Sequence, residues 1–229
     1  MRAYKGFKMR FSDFLKEQAI AKPGDYDFGN LNYVNKHSLT SIEYTFDKSP
    51  FVYKVFHNGE EFYFYKRETF YILSKIVSED YPTKDNPNGT KDRYSPVAMI
   101  KLSHTDKIKR IGYNNVCEVN AVEVDRDLRG KGIGKLLYYL STVVLGYTLL
   151  GDSTQYENAR RMYYSLSHNP GFTVDIIKLG YGVLEKNVNL NNHNDERVWS
   201  TTPDKVGRLH RVVLKSVTME SKVIVEKLK

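Results

Sequence analysis

Residues 116–137, VCEVNAVEVDRDLRGKGIGKLL, constrain this chain more than any other stretch. The apolar, β-branched run over residues 116–124 predicts the strongest strand in the protein. A basic glycine loop follows, Arg129-Gly130-Lys131-Gly132-Ile133-Gly134-Lys135, and an apolar helix over residues 134–144 begins at once. A strand that enters a helix through glycines brings backbone N–H groups together on one point, with the positive end of the helix dipole behind them. The implied ligand is a phosphate or a pyrophosphate. Two phosphate-binding signatures fail on specific residues. A G-x-G-x-x-G fingerprint read from Gly130 meets Lys135 where its third glycine belongs. A G-x-x-x-x-G-K-[ST] loop read back from Gly134 starts on Arg129, and Lys135 is followed by Leu136. The pattern that remains is R-x-x-G-x-G, on Arg129, Gly132 and Gly134.

The surrounding chain reads as an α/β succession from Pro96 onward. Strands are expected at residues 97–102, more weakly at 108–113, and at 147–150, 172–179 and 181–184, with a second helix at 157–166. Further expectations are an Asn-rich loop at 187–195, a strand at 208–217 and a strand or tail at 221–228. Ahead of Pro96, alternation of Ile42, Tyr44 and Phe46 predicts a strand over 41–46. Aromatic runs at 51–56 and 62–65 flank His57-Asn58-Gly59-Glu60, and the Asn-Gly pair predicts a hairpin. Phe70, Ile72 or Leu73, Ile76 and Val77 recur at helical spacing over 68–78. Residues 80–93 are polar with two prolines and are expected as a loop, and residues 10–21 as a short amphipathic helix. The expectation is one domain spanning 1–229, with a core at 96–185, a strand-and-helix lead-in at 40–79 and a C-terminal extension at 186–229.

Composition narrows the class. The chain has 229 residues and a single cysteine, Cys117, which rules out an internal disulfide framework and thiolate zinc sites. The six histidines are scattered, no metal-ligand motif is present, and no metal is expected. The net charge of +8 suits an acidic ligand, a phosphorylated cofactor or nucleic acid. The N-terminus lacks the apolar stretch of a secretory signal, and glycine, lysine and hydroxyl residues interrupt the apolar run at 133–150, so a non-membrane, cytoplasmic protein is expected.

The strand–loop–helix resembles the signature motif of the GNAT family of acyl-CoA-dependent N-acetyltransferases. That resemblance implies an α/β (α+β) fold with a mixed, mostly antiparallel sheet, helices on both faces, and N- and C-terminal additions. It implies acetyl-CoA, or another short acyl-CoA, as the cofactor. Arg129, Gly130, Lys131, Gly132, Ile133, Gly134 and Lys135 would hold the pyrophosphate, and the backbones of Val122 and Val124 would pair with the pantetheine arm. A second family landmark is approximated by Asn158-Ala159, Tyr163 and Gly171-Phe172, which adds Asn158 to the implied cofactor contacts. Here the Asn adjoins the Ala, and extra residues separate Tyr163 from Gly171.

Acyl transfer from a thioester to an amine needs a base for the amine and a proton for the departing thiolate, but no covalent nucleophile. Tyr163 shares a side of the second helix with Ala159 and Leu166 and points inward. The resemblance gives it the role of acid; a core aromatic is the other reading, and Tyr164 is the alternative for a register error. Glu118 is the base candidate, because a carboxylate in a central strand is costly unless it is paired or functional. It otherwise marks the solvated start of the strand. Period-two alternation places Glu118, Asn120, Val122 and Val124 on one face and Glu123 on the other, unless a bulge intervenes. Cys117 reads as a buried strand residue, with no histidine partner identifiable from spacing. Asp152 reads as an amine contact or as a cap ahead of the second helix.

The acceptor is expected to be a primary amine. The aromatic N-terminal hairpin, the Asn-rich loop and the segment VWSTTPDKVGR look like uncharacterised acetyltransferase-like proteins of bacteriophages, which makes a host protein lysine or N-terminus one acceptor class. A small amine and a charged tRNA are the others, and a catalytically silent CoA-binding protein is the non-enzymatic alternative. Residues 205–229 carry seven Lys or Arg against two Glu, a basic stretch compatible with nucleic acid but with no recognisable module for it.

Overall fold

The computed structural model describes residues 40–83, 85–152, 157–199, 209–216 and 223–229. The expected helix at 10–21 lies outside the described residues. The elements are β1 (Thr40–Ser41), α1 (Ile42–Lys48), β2 (Val52–His57), β3 (Glu60–Arg67), β4 (Phe70–Asp80), β5 (Thr90–His104) and β6 (Val116–Val124). They continue through α2 (Ile133–Tyr139), β7 (Thr148–Leu150), α3 (Glu157–Ser167), β8 (Phe172–Lys178), β9 (Gly182–Glu185), β10 (His210–Ser216) and β11 (Ile224–Lys227). One eleven-stranded sheet runs in the order β11-β2-β3-β4-β5-β6-β7-β10-β8-β9, with β1 paired to β5. Every described pairing is antiparallel except β6 with β7. The result is an α+β fold with a mixed, largely antiparallel sheet.

Helices cover both faces. Leu136, Leu137 and Tyr138 of α2 and Tyr163 and Leu166 of α3 join Phe62, Phe64, Leu73, Ile100 and Val212 in the larger core. On the other face, Ile42 and Phe46 of α1 pack on Val52, Tyr63, Tyr65, Ile72, Tyr94 and Met99. Ile108, Tyr113, Val116, Leu150, Ile177 and Val213 form a third cluster.

Two lead-in elements differ from expectation. Residues 42–48 are helical, not extended: Ser41 caps α1 by accepting from the Tyr44 N–H at 3.1 Å, and Ile42 and Phe46, four apart, face the sheet. Residues 70–80 form a strand, not a helix. Tyr71 and Leu73 enter one core and Ile72 the other, so both parities are apolar and the run mimics helical spacing. The β4–β5 hairpin also takes in Asp80 and residues 90–93 of the expected loop. Residues 109–111 form a single 3₁₀ turn in place of the weaker strand.

The segment beyond residue 185 is no appendage. β10 lies between β7 and β8, with Val212, Val213 and Leu214 fully buried, and β11 closes the opposite edge on β2. The Asn-rich loop is tied down by Asp195, which accepts from the Asn191 and Arg197 N–H groups and ion-pairs with Arg197 at 2.6 Å. Val198 and Trp199, just behind it, enter the larger core.

Candidate functional site

The glycine loop adopts backbone torsions that its glycines permit. Gly130 and Gly132 have φ of +78° and +82°, left-handed values that cost an L-residue about 1–2 kcal/mol. Gly132 is the N-cap of α2, and no side chain caps that end of the helix. A Cβ at Gly130 would meet open space. Gly134 differs. It is buried at the α2–α3 contact, where a Cβ would stand 2.7 Å from Met162 Cε, the movable end of a flexible side chain. Ile133 is buried, while Lys131 is exposed and Lys135 half-buried. Arg129 folds back on the strand, its Nε donating to the Val124 carbonyl at 3.0 Å. That carbonyl is offered to a ligand only if Arg129 swings away. α2 does not end at Tyr139 but loosens into a π turn over Leu140–Val144.

β6 carries a bulge that rearranges the expected faces. β5 and β6 pair Lys101 with Ala121 but Leu102 with Val119, leaving Asn120 as the extra residue. Cys117 and Val119 before the bulge, and Val122 and Val124 after it, therefore all belong to the face beneath α2 and α3. Glu118 and Glu123 fall together on the other face. The expectation that Glu118, Val122 and Val124 share a face is corrected by that single residue.

β6 and β7 run parallel and pair only as Val116 with Thr148, Cys117 with Leu149 and Glu118 with Leu150. β7 ends at Leu150, so among the described residues β6 has no strand paired on that side from Val119 to Val124, and the end of the pairing opposite Glu118 is the fork. Glu118 sits at this fork. Its side chain is 14% exposed and its Oε2 lies 2.6 Å from Lys107 Nζ, which is 53% exposed. Burial pushes the pKa of Arg211, on β10, below its ordinary value, while the charges of Asp152 and Glu118 oppose that change. The fork therefore gathers two carboxylates and a guanidinium on the sheet.

Tyr163 points inward as expected and is 1% exposed. Its ring meets Tyr138 of α2 edge-on at 5.7 Å, and its hydroxyl finds no partner at hydrogen-bonding geometry among the described residues. Burial pushes its pKa well above the usual tyrosine value, followed by the Tyr138 hydroxyl, which is near enough to act on it but outside hydrogen-bonding geometry, and the Asp152 charge. Tyr164, one position on, is partly exposed and lies against the His168 ring. Asn158 is exposed in the first turn of α3.

Cys117 does have a histidine neighbour that spacing did not reveal: its Sγ lies 3.4 Å from His104 Nδ1. Burial pushes the thiol up to about 11, so it is a protonated core residue and not a nucleophile. Sequence reasoning also missed His57 and Asn58. Asn58 Nδ2 donates to the Lys131 carbonyl at 3.3 Å, which sets the tip of the β2–β3 hairpin against the glycine loop. The Asn-Gly pair signals the turn, but nothing local signals a contact across 73 residues.

Two surface clefts lie elsewhere: about 290 Å³ among Glu60, Glu61, Tyr63, Lys75 and Ile76, and about 310 Å³ at His104, Lys109, Tyr113 and Val116. Among the described residues no cluster of three or more metal-ligating side chains occurs, and no helix is long and apolar enough to cross a membrane. Comparison of the chain with family models, curated proteins and solved structures returns no match.

Proposed function

We propose that this protein is an acyl-CoA-dependent N-acyltransferase that takes its acyl group from acetyl-CoA and passes it directly to a primary amine. The observation that carries the reading is the fork: β7 ends opposite Glu118, and β6 runs on toward the glycine loop paired only with β5. That arrangement supports a long ligand with its anionic part on the loop and its reactive end between the strands. The residues present fit a pyrophosphate. Two left-handed glycines, an uncapped helix start and the cations Arg129, Lys131 and Lys135 lie together.

The N–H groups of Gly130 and residues 132–135 bind and orient the anion, with the three cations adding attraction that salt weakens. Val122 and Val124 flank the ligand along β6, and Asn158 stands at the start of α3. When bound, acyl-CoA supplies an activated thioester. Glu118 accepts the proton of the incoming amine, for which the amine displaces Lys107 from Oε2. Tyr163, kept protonated by burial, holds a proton for the departing sulfur.

Calorimetric titration tests the reading: CoA binds in the micromolar range and more tightly than NAD or ATP, and Gly132→Val abolishes the CoA heat. Equal or stronger binding of NAD or ATP defeats it. A second reading, a CoA-binding protein without turnover, is favoured by the Lys107–Glu118 ion pair and by the depth of Tyr163. It shares the CoA affinity and differs in releasing no thiol when amines are added.

A further inference from the structure

The face of the sheet away from α2 and α3 carries its own group of charges at the fork. β7 ends at Leu150, which pairs with Val213 of β10, and the Gly151 N–H donates to the Val212 carbonyl at 2.8 Å. That register carries one residue further and sets Asp152 across from Arg211. Val212 and Leu214 enter the helix-covered core, while Val213 packs with Val116 and Leu150 on the other face. Period-two alternation puts Arg211 with Val213 and Glu118 with Val116, so both charges lie on that second face.

Arg211 is 6% exposed, and its Nη1 donates to the His210 carbonyl at 2.7 Å. Asp152 is half-buried, and the guanidinium is near enough to Asp152 and Glu118 to feel both carboxylates. β6 and β10 stand two strands apart, about 10 Å between backbones, a gap that the Glu118 and Arg211 side chains narrow to the span of a small ligand. With Lys107 on Glu118, the fork holds two cations and two anions. That balance suits a ligand bringing one charge of each sign, because each end finds its opposite and the net charge of the site is unchanged. Tyr163 adds a hydroxyl that is buried and has no partner among the described residues, and the Asp152 charge reaches it. A hydroxyl in that state is costly unless a ligand atom comes to it.

We propose that the acceptor is a free α-amino acid, its amine at Glu118 and its carboxylate on Arg211. The inference rests on the acyl-CoA reading and names the acceptor class for that same site. A guanidinium presents N–H donors in a fork that matches a carboxylate, and Asp152 across the strands orients it. The neutral amine attacks the thioester carbon, and the carbon–nitrogen bond forms as the carbon–sulfur bond breaks. One amine proton passes to Glu118, one proton from Tyr163 reaches the sulfur, and the carboxylate stays on Arg211 throughout. The products are an N-acyl amino acid and CoA as its thiol.

Thiol release from acetyl-CoA with a panel of acceptors tests the proposal. Each standard amino acid with a primary amine is compared with its own carboxamide at equal concentration of neutral amine, so that their different amine basicities do not decide the result. The best amino acid is expected to exceed its amide in kcat/KM by about 10- to 100-fold, the worth of a charge-assisted pair, and chiefly through KM. Arg211→Gln should bring that ratio close to one. Equal rates with acid and amide overturn the proposal and leave the acyl-CoA reading intact, and so does faster transfer to a lysine-containing peptide than to any amino acid. CoA binding without thiol release on any amine removes the proposal together with turnover, and no CoA heat removes the acyl-CoA reading itself. The wild-type comparison stands without the variant, so a misfolded Arg211→Gln does not shield the proposal.

Discussion

Tyr163→Phe separates what the hydroxyl does for stability from what it does for chemistry. The ring is 1% exposed and its hydroxyl has no partner at hydrogen-bonding geometry among the described residues. A buried hydroxyl left unpaired costs about 1–3 kcal/mol, since water no longer solvates it. Phenylalanine keeps the edge-on contact with Tyr138 and removes only the polar atom. The variant should gain about 1–2 kcal/mol, a rise in Tm of roughly 2–8 °C for a chain of this size. Turnover with acetyl-CoA and an amine should nevertheless fall roughly 10- to 1000-fold, the contribution of a positioned proton donor, with CoA affinity little changed. Thermal and urea melts give the first quantity, and thiol release with calorimetry gives the second. A loss of stability of about 1 kcal/mol or more would show the hydroxyl to be bonded in the native state and refute the reasoning. A stabilised variant with wild-type turnover would remove Tyr163 as the acid.

Other substitutions probe the frame around the site. Gly132→Ala places a side chain at φ of +82° and against His57, so about 1–2 kcal/mol of stability and most CoA affinity should be lost. Gly134→Ala meets only the movable tip of Met162 and should be near neutral; calorimetry and melts distinguish the two. Asp175 is fully buried: desolvation alone raises its pKa, but Lys215, the Asn187 N–H and the Tyr113 hydroxyl together hold it below the usual carboxylate value. Its stabilisation is therefore present above the unfolded carboxylate pKa of about 3.9 and lost as pH falls through the lower folded value. Asp175→Asn should cost about 2–4 kcal/mol in urea melts at pH 7 and flatten the acid limb of the stability profile. Cys117 should resist alkylation at pH 8 in the native protein and react promptly in denaturant, because burial holds it as a thiol.

The strands and helices around the glycine loop were legible because each is dictated locally. Val116–Val124 is β-branched, the glycines break it, and an apolar helix follows. Asn58-Gly59 likewise announced its own hairpin through the left-handed torsions of the turn. What escaped depended on tertiary context. β4 is buried on both faces, so Tyr71, Ile72 and Leu73 are all apolar and the period that marks a strand is erased. At α1 the alternation of Ile42, Tyr44 and Phe46 imitated a strand, while the signal that decides is the Ser41 side chain capping Tyr44. The Asn120 bulge left no local mark, yet it carries Val122 and Val124 to the helix-covered face. Spacing alone places Gly134 with Gly130 and Gly132 in the loop, whereas its surroundings are Met162 of α3 and Val124 of β6. The pairing of Asn58 with Lys131 and of Cys117 with His104 joins residues whose proximity only the sheet order creates.

An acyl-CoA held by both the glycine loop and the fork of β6 and β7 would perturb the two regions together. Backbone amide shifts of the isotope-labelled protein, recorded during titration with CoA, report on both at once. The largest changes should fall on residues 130–135 and 118–124, saturate together with a single micromolar Kd, and disappear in Gly132→Val. No shifts on CoA addition, or saturable shifts confined to the cleft around His104, Lys109 and Tyr113, would contradict the acyl-CoA reading.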